Sequence, residues 1–459
     1  MGAIANRYIK MIDLIDLFSW DVKSLLNKSN NFNPAYKIVL FREFLSKAKI
    51  DKVKIEDESE YKILGVRSYG KGVFSNRIVK GKTLKMKEYQ QAKPNHLFWC
   101  KVDTKNGAFG VVKDDLADGV GSSNMTFVQI DTTKINVDFL QLLFTNKSIM
   151  QYLDSFVTGT TNRKYIRLDQ LLNEIKIPLP TLSEQDKLVN DYAGKINKAK
   201  DLEQEANDLE GEIEGYLFNE LGVKSLEVSK VIKGLQFFQY SEIENWGIDK
   251  ILLFSKNIET HYKVSTLNAM EYVIKDIFRG KSPKYSEISG KTILNQKCNR
   301  WNSIDLQFSK KVDEKWLQNV DEHFFTKEND IIINSTGDGT IGRATSITKE
   351  FEGLLYDSHI LLLRLDKTII SNNYFVELFN SKFIQKQIDN IKTAQSTKQT
   401  ELGISNLKKL TFVIPPLEKQ QQIINTISAL KSNIENYRTT SSSLKFQASQ
   451  AFENAIFNS

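Results

Sequence analysis

The sequence has little cysteine, histidine or proline: two Cys (Cys100, Cys298), four His (His96, His261, His323, His359) and seven Pro in 459 residues. Two cysteines exclude a disulfide framework and fit a reducing compartment. None of the Cys and His are closely spaced, so no metal site is expected. No apolar run approaches the ~20 residues that span a bilayer. Asp13 and Asp16 stand where a signal peptide needs an apolar stretch. Asn6 replaces the Ser or Thr of a myristoylation signal. These absences lead us to expect a cytoplasmic protein with no membrane partner. Apolar residues make up 41% and charged residues 26%, so the chain should fold throughout. Its length predicts two to four domains.

What is present is an internal duplication. Ile177-Pro178-Leu179-Pro180-Thr181-Leu182-Ser183-Glu184-Gln185 resembles Val413-Ile414-Pro415-Pro416-Leu417-Glu418-Lys419-Gln420, at an offset of 235 when Pro180 is set on Pro415. At that offset Asp131 meets Asp366, Ile135 meets Ile370, Leu143-Phe144 meets Leu378-Phe379, and Lys147 meets Lys382. Further upstream Asn106–Gly110 faces Asp338–Gly342 at an offset of 232. Near the start the offset is 226, with Trp20 and Tyr36-Lys37 facing Trp246 and Tyr262-Lys263. A period above 200 residues is a domain duplication rather than a solenoid repeat.

Each copy ends in a long helix. Val189, Tyr192, Ile196, Ala199, Leu202, Ala206, Leu209, Ile213 and Tyr216 follow heptad steps. Ile423, Ile427, Leu430, Ile434, Tyr437, Ser441, Leu444, Ala448, Ala451 and Ala455 do the same. Pro180 and Pro415-Pro416 precede the helices, where a proline ring is tolerated. Each seam needs a partner, and the chain holds one for each. Before the helices lie short β-prone runs such as Ile63–Val66, Phe109–Val112, Ile331–Ile333 and Ile360–Leu365, then helical stretches at about 136–156 and 372–391. The expected fold is α+β: mixed α/β domains over 1–178 and 223–413, each followed by a long helix, 179–222 and 414–459.

Charge is segregated along this plan. Residues 1–178 hold 28 Lys/Arg against 19 Asp/Glu, a net +9; residues 223–413 hold 27 against 23, a net +4. The first helical segment holds 4 against 11, a net −7; the second holds 4 against 3. Basic domains and an acidic spacer suit a polyanion partner at the domains. Ser, Thr, Asn and Arg on flexible loops donate hydrogen bonds to phosphates and base edges. The candidates in the first domain are Arg67, Ser68, Tyr69 and Lys71, with Thr160, Thr161, Asn162, Arg163 and Lys164. Those in the second are Asn299, Arg300 and Trp301; Asn334, Ser335, Thr336, Asp338, Thr340 and Arg343; and Thr397, Lys398 and Gln399.

Catalytic motifs are weaker. Gly337-Asp338-Gly339-Thr340-Ile341-Gly342 matches G-x-G-x-x-G, but β-prone residues follow where a dinucleotide fold needs a helix. Asn33-Pro34-Ala35-Tyr36 is better explained as a helix start than as a methyltransferase N-P-P-Y. Asp57, Glu60 and Lys62 are too close together for a nuclease cluster and read as charged surface. No catalytic centre emerges.

Gly159-Thr160-Thr161, the Ile175–Gln185 segment, the Leu410–Gln420 segment and the Ile333–Ala344 loop together resemble the specificity (S) subunit of type I restriction–modification systems. Ala394-Gln395-Ser396-Thr397 departs from the Gly-Thr-Thr of the first copy. The resemblance implies two target recognition domains, each reading half of a split double-stranded DNA site for phage defence. It implies that the long helices pack as an antiparallel coiled coil, on a seam that includes Val189, Tyr192, Ile196, Leu202, Leu209, Ile213, Ile427, Leu430, Ile434, Tyr437 and Leu444. It further implies two copies of a partner adenine methyltransferase that binds S-adenosylmethionine, and room for restriction (translocase/nuclease) subunits. No cofactor is then expected in this chain, and no enzymatic activity. The competing expectations are a coiled-coil adaptor that binds only proteins, or a stand-alone DNA methyltransferase or nuclease.

Overall fold

The structure is a computed structural model and describes residues 32–100, 107–154, 156, 166–223, 259–287, 290–337, 339–393 and 401–457. The chain divides into two compact units: residues 1–203 with 439–459, and residues 204–438. The sequence boundaries fall at the helix starts, whereas the compact units each take a half of both long helices. No helix among the described residues is long and apolar enough to cross a membrane.

In the first unit, a four-stranded antiparallel sheet runs in the order Leu45–Lys47, Met125–Ile130, His96–Cys100, Phe109–Val111. Its central strand His96–Cys100 is buried on both faces, as the apolar run Leu97-Phe98-Trp99 requires. Leu97 and Trp99 join Phe139, Leu143 and Phe144 of the helix Val137–Thr145 in one core. Phe98 and Phe127 point to a second cluster with Leu64 and Val112. That cluster leads to a five-stranded sheet of Lys52–Lys54, Glu88–Gln91, Val120–Gly121, Glu60–Val66 and Val73–Lys80.

The second unit repeats the plan. Ile274–Arg279, Ile360–Leu365, Ile331–Asn334 and Ala344–Ser346 form the main sheet. Ile331 and Ile333 face the core with Phe375 and Phe379 of the helix Asn372–Asn380, and Ile332 faces a separate cluster with Leu362 and Leu294. A smaller sheet joins Tyr285–Ser286, Lys310–Val312, Thr292–Leu294 and Leu355–Tyr356. Register supports the duplication. Ile38 pairs with Pro178, and Val264 pairs with Val413, as offsets of 226 and 235 require. The offset of 232 is corrected: the sheet pairs Trp99 with Phe109 and Ile333 with Ala344, so Phe109 takes the place of Ala344.

The long helices are Leu182–Leu221 and Leu417–Ile456. Thr181 and Glu184 close a capping box at the first helix, with Thr181 N–H donating to Glu184 Oε2 at 2.8 Å. Gly222, at φ +69°, ends that helix as Val223 N–H reaches Phe218 O at 2.9 Å. In the first unit Ser441 donates to Ala199 O at 2.9 Å, and Lys445 pairs with Glu203 at 2.6 Å. In the second unit Arg438 pairs with Glu210 at 2.8 Å, and Lys419 pairs with Glu220. Tyr192 meets Phe452 and Ala199 meets Ser441 in the first unit, as Glu210 meets Arg438 and Glu220 meets Lys419 in the second, so in each unit the numbering rises on one helix as it falls on the other and the pairing is antiparallel. Val189, Tyr192, Ile196, Leu202, Leu209, Ile213, Leu430, Tyr437 and Leu444 are half-buried, and Ile427 and Ile434 are buried. The end of the second seam shifts. Ala451 is exposed, and Phe452 and Ile456 are buried instead, because that end packs into the first unit's core against Phe139.

Asn33 begins a turn, not a helix. Its Oδ1 accepts from Ala35 N–H at 3.0 Å, its Nδ2 donates to Ala455 O at 3.0 Å, and a strand follows at Lys37. Asp57 pairs with Lys87 and Lys62 with Asp118, as the charged-surface expectation has it.

Candidate nucleic-acid interface

Each unit carries one hairpin in the same topological place. Glu60–Val66 pairs antiparallel with Val73–Lys80 and parallel with Val120. Thr292–Leu294 pairs antiparallel with Lys310–Val312 and parallel with Leu355–Tyr356. The hairpin tips are the 67–72 loop and the longer 295–309 loop. Candidate contact residues lie in both tips, and sequence alone does not align them, because the tips differ in length.

The first tip is tightly pinned. Arg67 N–H closes on Gly72 O at 3.0 Å, and Gly70 N–H donates to Gly107 O at 2.8 Å. Gln141 Nε2 donates to Gly70 O at 2.5 Å, while its Oε1 accepts from Val111 N–H. Gly70 sits at φ +63°, and a Cβ there would lie 2.0 Å from Phe144 O, so no other residue fits. Tyr69 beside it holds φ +60°, uncommon for a non-glycine residue, and its side chain is 63% exposed. The Arg67 guanidinium lies over the Phe74 ring at 4.8 Å. Lys71 is exposed and Ser68 half-buried.

The second tip uses different residues for the same ends. Arg300 N–H closes on Ser303 O at 2.9 Å. Asn302 holds φ +59°; its N–H reaches Ala344 O, and its Oδ1 accepts from Asn380 Nδ2 at 2.8 Å. Trp301 is 47% exposed, and Arg300 lies over the Phe308 ring at 4.7 Å.

Beside this tip runs the 334–343 loop. Arg343 lies 5.8 Å from the Trp301 ring and donates from Nη2 to Gly339 O at 2.9 Å. Its Nε is buried and has no hydrogen-bond partner among the described residues. Burial, and then the neighbouring Arg300 charge, press the Arg343 guanidinium below its usual pKa. Asp305 stands 3.7 Å from Arg300. Two guanidinium groups and an exposed indole thus share one surface, an arrangement suited to a phosphate or a base.

Several predicted contacts are internal instead. Asn299, Asn334 and Ser335 are fully buried. Asn299 Nδ2 donates to Asn334 Oδ1 and Arg343 O, and its Oδ1 accepts from Thr345. Asn334 Nδ2 donates to Gln296 O and Thr340 O, and Ser335 Oγ donates to Leu402 O. These three brace the loop from beneath and cannot reach DNA; their polar groups are spent on backbone that would otherwise be buried unpaired. Thr340 turns its hydroxyl back onto Thr336 O and Gly337 O. Thr336 bonds His359 Nδ1 at 2.6 Å. Strand Ala344–Ser346 follows the glycines, so no helix is there to bind a dinucleotide. Thr160–Lys164, Asp338 and Thr397–Gln399 lie outside the described residues.

Several lysines in and beside the first unit's five-stranded sheet meet carboxylates: Lys52 pairs with Glu88, Lys62 with Asp118, Lys80 and Lys82 with Glu58, and Lys87 with Asp57.

Fold and site define a class: a protein of two α/β units, each bearing an arginine–aromatic hairpin tip and each including an antiparallel pair of long-helix segments. Residues 271–445 match the family model of the type I restriction modification DNA specificity domain. The HsdS subunit from Thermoanaerobacter tengcongensis superimposes with a TM-score of 0.50 at 12% identity, covering 94% of this chain and 99% of that one. A protein from a structure describing complex assembly and conformational transition of the type I R-M system gives 0.57 at 13% identity, covering 92% and 98%. Comparison with curated proteins gives no match. The family match covers residues 271–445, and over nearly its whole length the chain shares the fold of the HsdS subunit and of that second type I R-M protein.

Proposed function

We propose that the chain is the noncatalytic DNA-recognition subunit of a type I restriction–modification complex and reads a bipartite site, one half per unit. The observation that supports this best is one scaffold built twice, with hairpin tips of different length and sequence at the same topological place. Equal scaffolds with unlike tips suit two unlike half-sites with unread bases between them. Phosphate contacts from Arg67, Lys71, Arg300 and Arg343 would set affinity and salt sensitivity. A few base contacts, each worth roughly 1–3 kcal/mol, would set the sequence.

Two copies of a separate adenine methyltransferase are the proposed partners, with restriction subunits able to join. S-adenosylmethionine and the transfer chemistry belong to that partner. Removing the target adenine from the stack is a cost that the partner's pocket meets. The test is footprinting of the purified chain, with and without the methyltransferase, on DNA libraries. Protection of two separated half-sites is expected. Indifference to the sequence of either half-site would sink the proposal.

A further inference from the structure

Tyr69 and Trp301 are the most exposed aromatic side chains at the two hairpin tips, at 63% and 47%, ahead of Phe308 at 39%. Their settings share three features. Each sits within two residues of an arginine held over a phenylalanine of its own hairpin, Arg67 on Phe74 and Arg300 on Phe308. Each tip includes a non-glycine residue in the left-handed region, Tyr69 itself in one and Asn302 in the other. Each tip is tied by a backbone N–H to the neighbouring segment, Gly70 to Gly107 and Asn302 to Ala344.

A left-handed non-glycine residue costs free energy and persists only where surrounding bonds enforce it. Both units therefore hold a large planar ring in water on a rigid support, at an energetic cost. A flexible surface loop would need neither the backbone conformation nor the ties. The neighbouring arginines leave the ring beside a cation, which favours an electron-rich, negatively charged partner surface. A nucleobase offers a π-face on a polyanionic chain and meets both demands. The first ring is flanked by Arg67, Ser68 and Lys71, and the second by Arg300 and Arg343 together with exposed Leu306 and Phe308; cations beside both rings favour a polyanion over a protein surface.

We propose that Tyr69 and Trp301 are base-stacking residues, one per half-site, which enter the DNA where a base has been unstacked. This rests on the recognition-subunit function and adds the mode of contact. Stacking on a splayed base is sequence-tolerant, so each ring would cover a base that the bound complex keeps splayed while neighbouring polar groups read the sequence.

The test uses the full chain with its methyltransferase and duplexes of the footprinted site, in which 2-aminopurine replaces one base at a time. Trp301→Ala should raise 2-aminopurine fluorescence several-fold at one step in a single half-site, because the quenching ring is gone. Tyr69→Ala should do so in the other half-site. Each should weaken binding roughly 10- to 100-fold, and Trp301→Phe and Tyr69→Phe should restore most of both signals. Alanine variants that match the wild-type fluorescence profile and bind within twofold would overturn the stacking role, while leaving bipartite recognition standing. Failure of the wild-type chain to prefer the footprinted duplex over scrambled DNA would overturn both. Unchanged thermal melting of the variants separates lost stacking from lost fold.

Discussion

Gln185 and Gln420 make the same three hydrogen bonds, each inside its own unit. Gln185 Nε2 donates to Pro180 O at 2.8 Å and Lys134 O at 3.3 Å, and its Oε1 accepts from Asn136 N–H at 2.7 Å. Gln420 Nε2 donates to Pro415 O at 2.8 Å and Ile369 O at 2.9 Å, and its Oε1 accepts from Ser371 N–H at 2.8 Å. Both side chains are fully buried. Each amide joins the first turn of a long helix to the loop that enters the preceding helical segment, so it fixes how the spacer leaves its domain.

Gln185→Ala and Gln420→Ala should therefore each destabilise the protein by about 2–3 kcal/mol, since each strands a buried N–H and carbonyl oxygens. Urea denaturation measures the loss, and hydrogen exchange at Asn136 and Ser371 should quicken in the matching variant. A change under about 0.5 kcal/mol, the usual size for surface substitutions, would contradict the lock.

Asn299→Ala and Asn334→Ala should lower stability by about 1–3 kcal/mol each, because they leave buried backbone groups unpaired. Their DNA affinity, measured well below the unfolding temperature, should change little once the folded fraction is accounted for. A large loss of affinity with unchanged melting would make them DNA contacts after all.

Arg343→Ala and Arg300→Ala should weaken only the half-site read by the second unit, and each should reduce the slope of log affinity against log salt by about 1. Binding to duplexes with one or the other half-site scrambled is the check. Equal loss on both half-sites would show that the units do not divide the reading.

Asp357 gives a pH prediction. Its carboxyl is buried, accepts from His359 N–H at 3.0 Å and lies 3.5 Å from the Tyr285 hydroxyl. Burial raises its pKa above the ordinary carboxylate value. The folded chain thus holds this proton more tightly than the unfolded chain, and the group's stabilising contribution is lost as pH rises from about 4 through the raised value. Asp357→Asn does not titrate and keeps an acceptor for His359. The urea midpoint of the variant should gain on wild type as pH rises from 4 to 7; parallel profiles would contradict this.

Much of this was legible in the sequence, for physical reasons that differ by element. The long helices announce themselves through a local period, and Ile331–Ile333 and Ile360–Leu365 through fully apolar runs. The pairing of Ile38 with Pro178 is not local, and nothing in either segment states it. Asn299 and Asn334 looked like loop donors because Asn in a polar loop, next to Arg300 or Ser335, is usually exposed; here polar side chains serve the buried backbone. The equivalence of the tips at Tyr69 and Trp301 stayed hidden because it is set by strand register, and the second tip is longer. Phe452 and Ile456 replace Ala451 and Ala455 because a helix leaving its partner for a domain core changes its buried face.

The central claim is that this chain selects a split DNA sequence for a partner's chemistry. An adenine-methylation map of cells with and without the chain, with the methyltransferase retained, tests it most directly. Loss of methylation at one bipartite motif, and at no other, is the predicted result. A map that does not change when the chain is removed would contradict it.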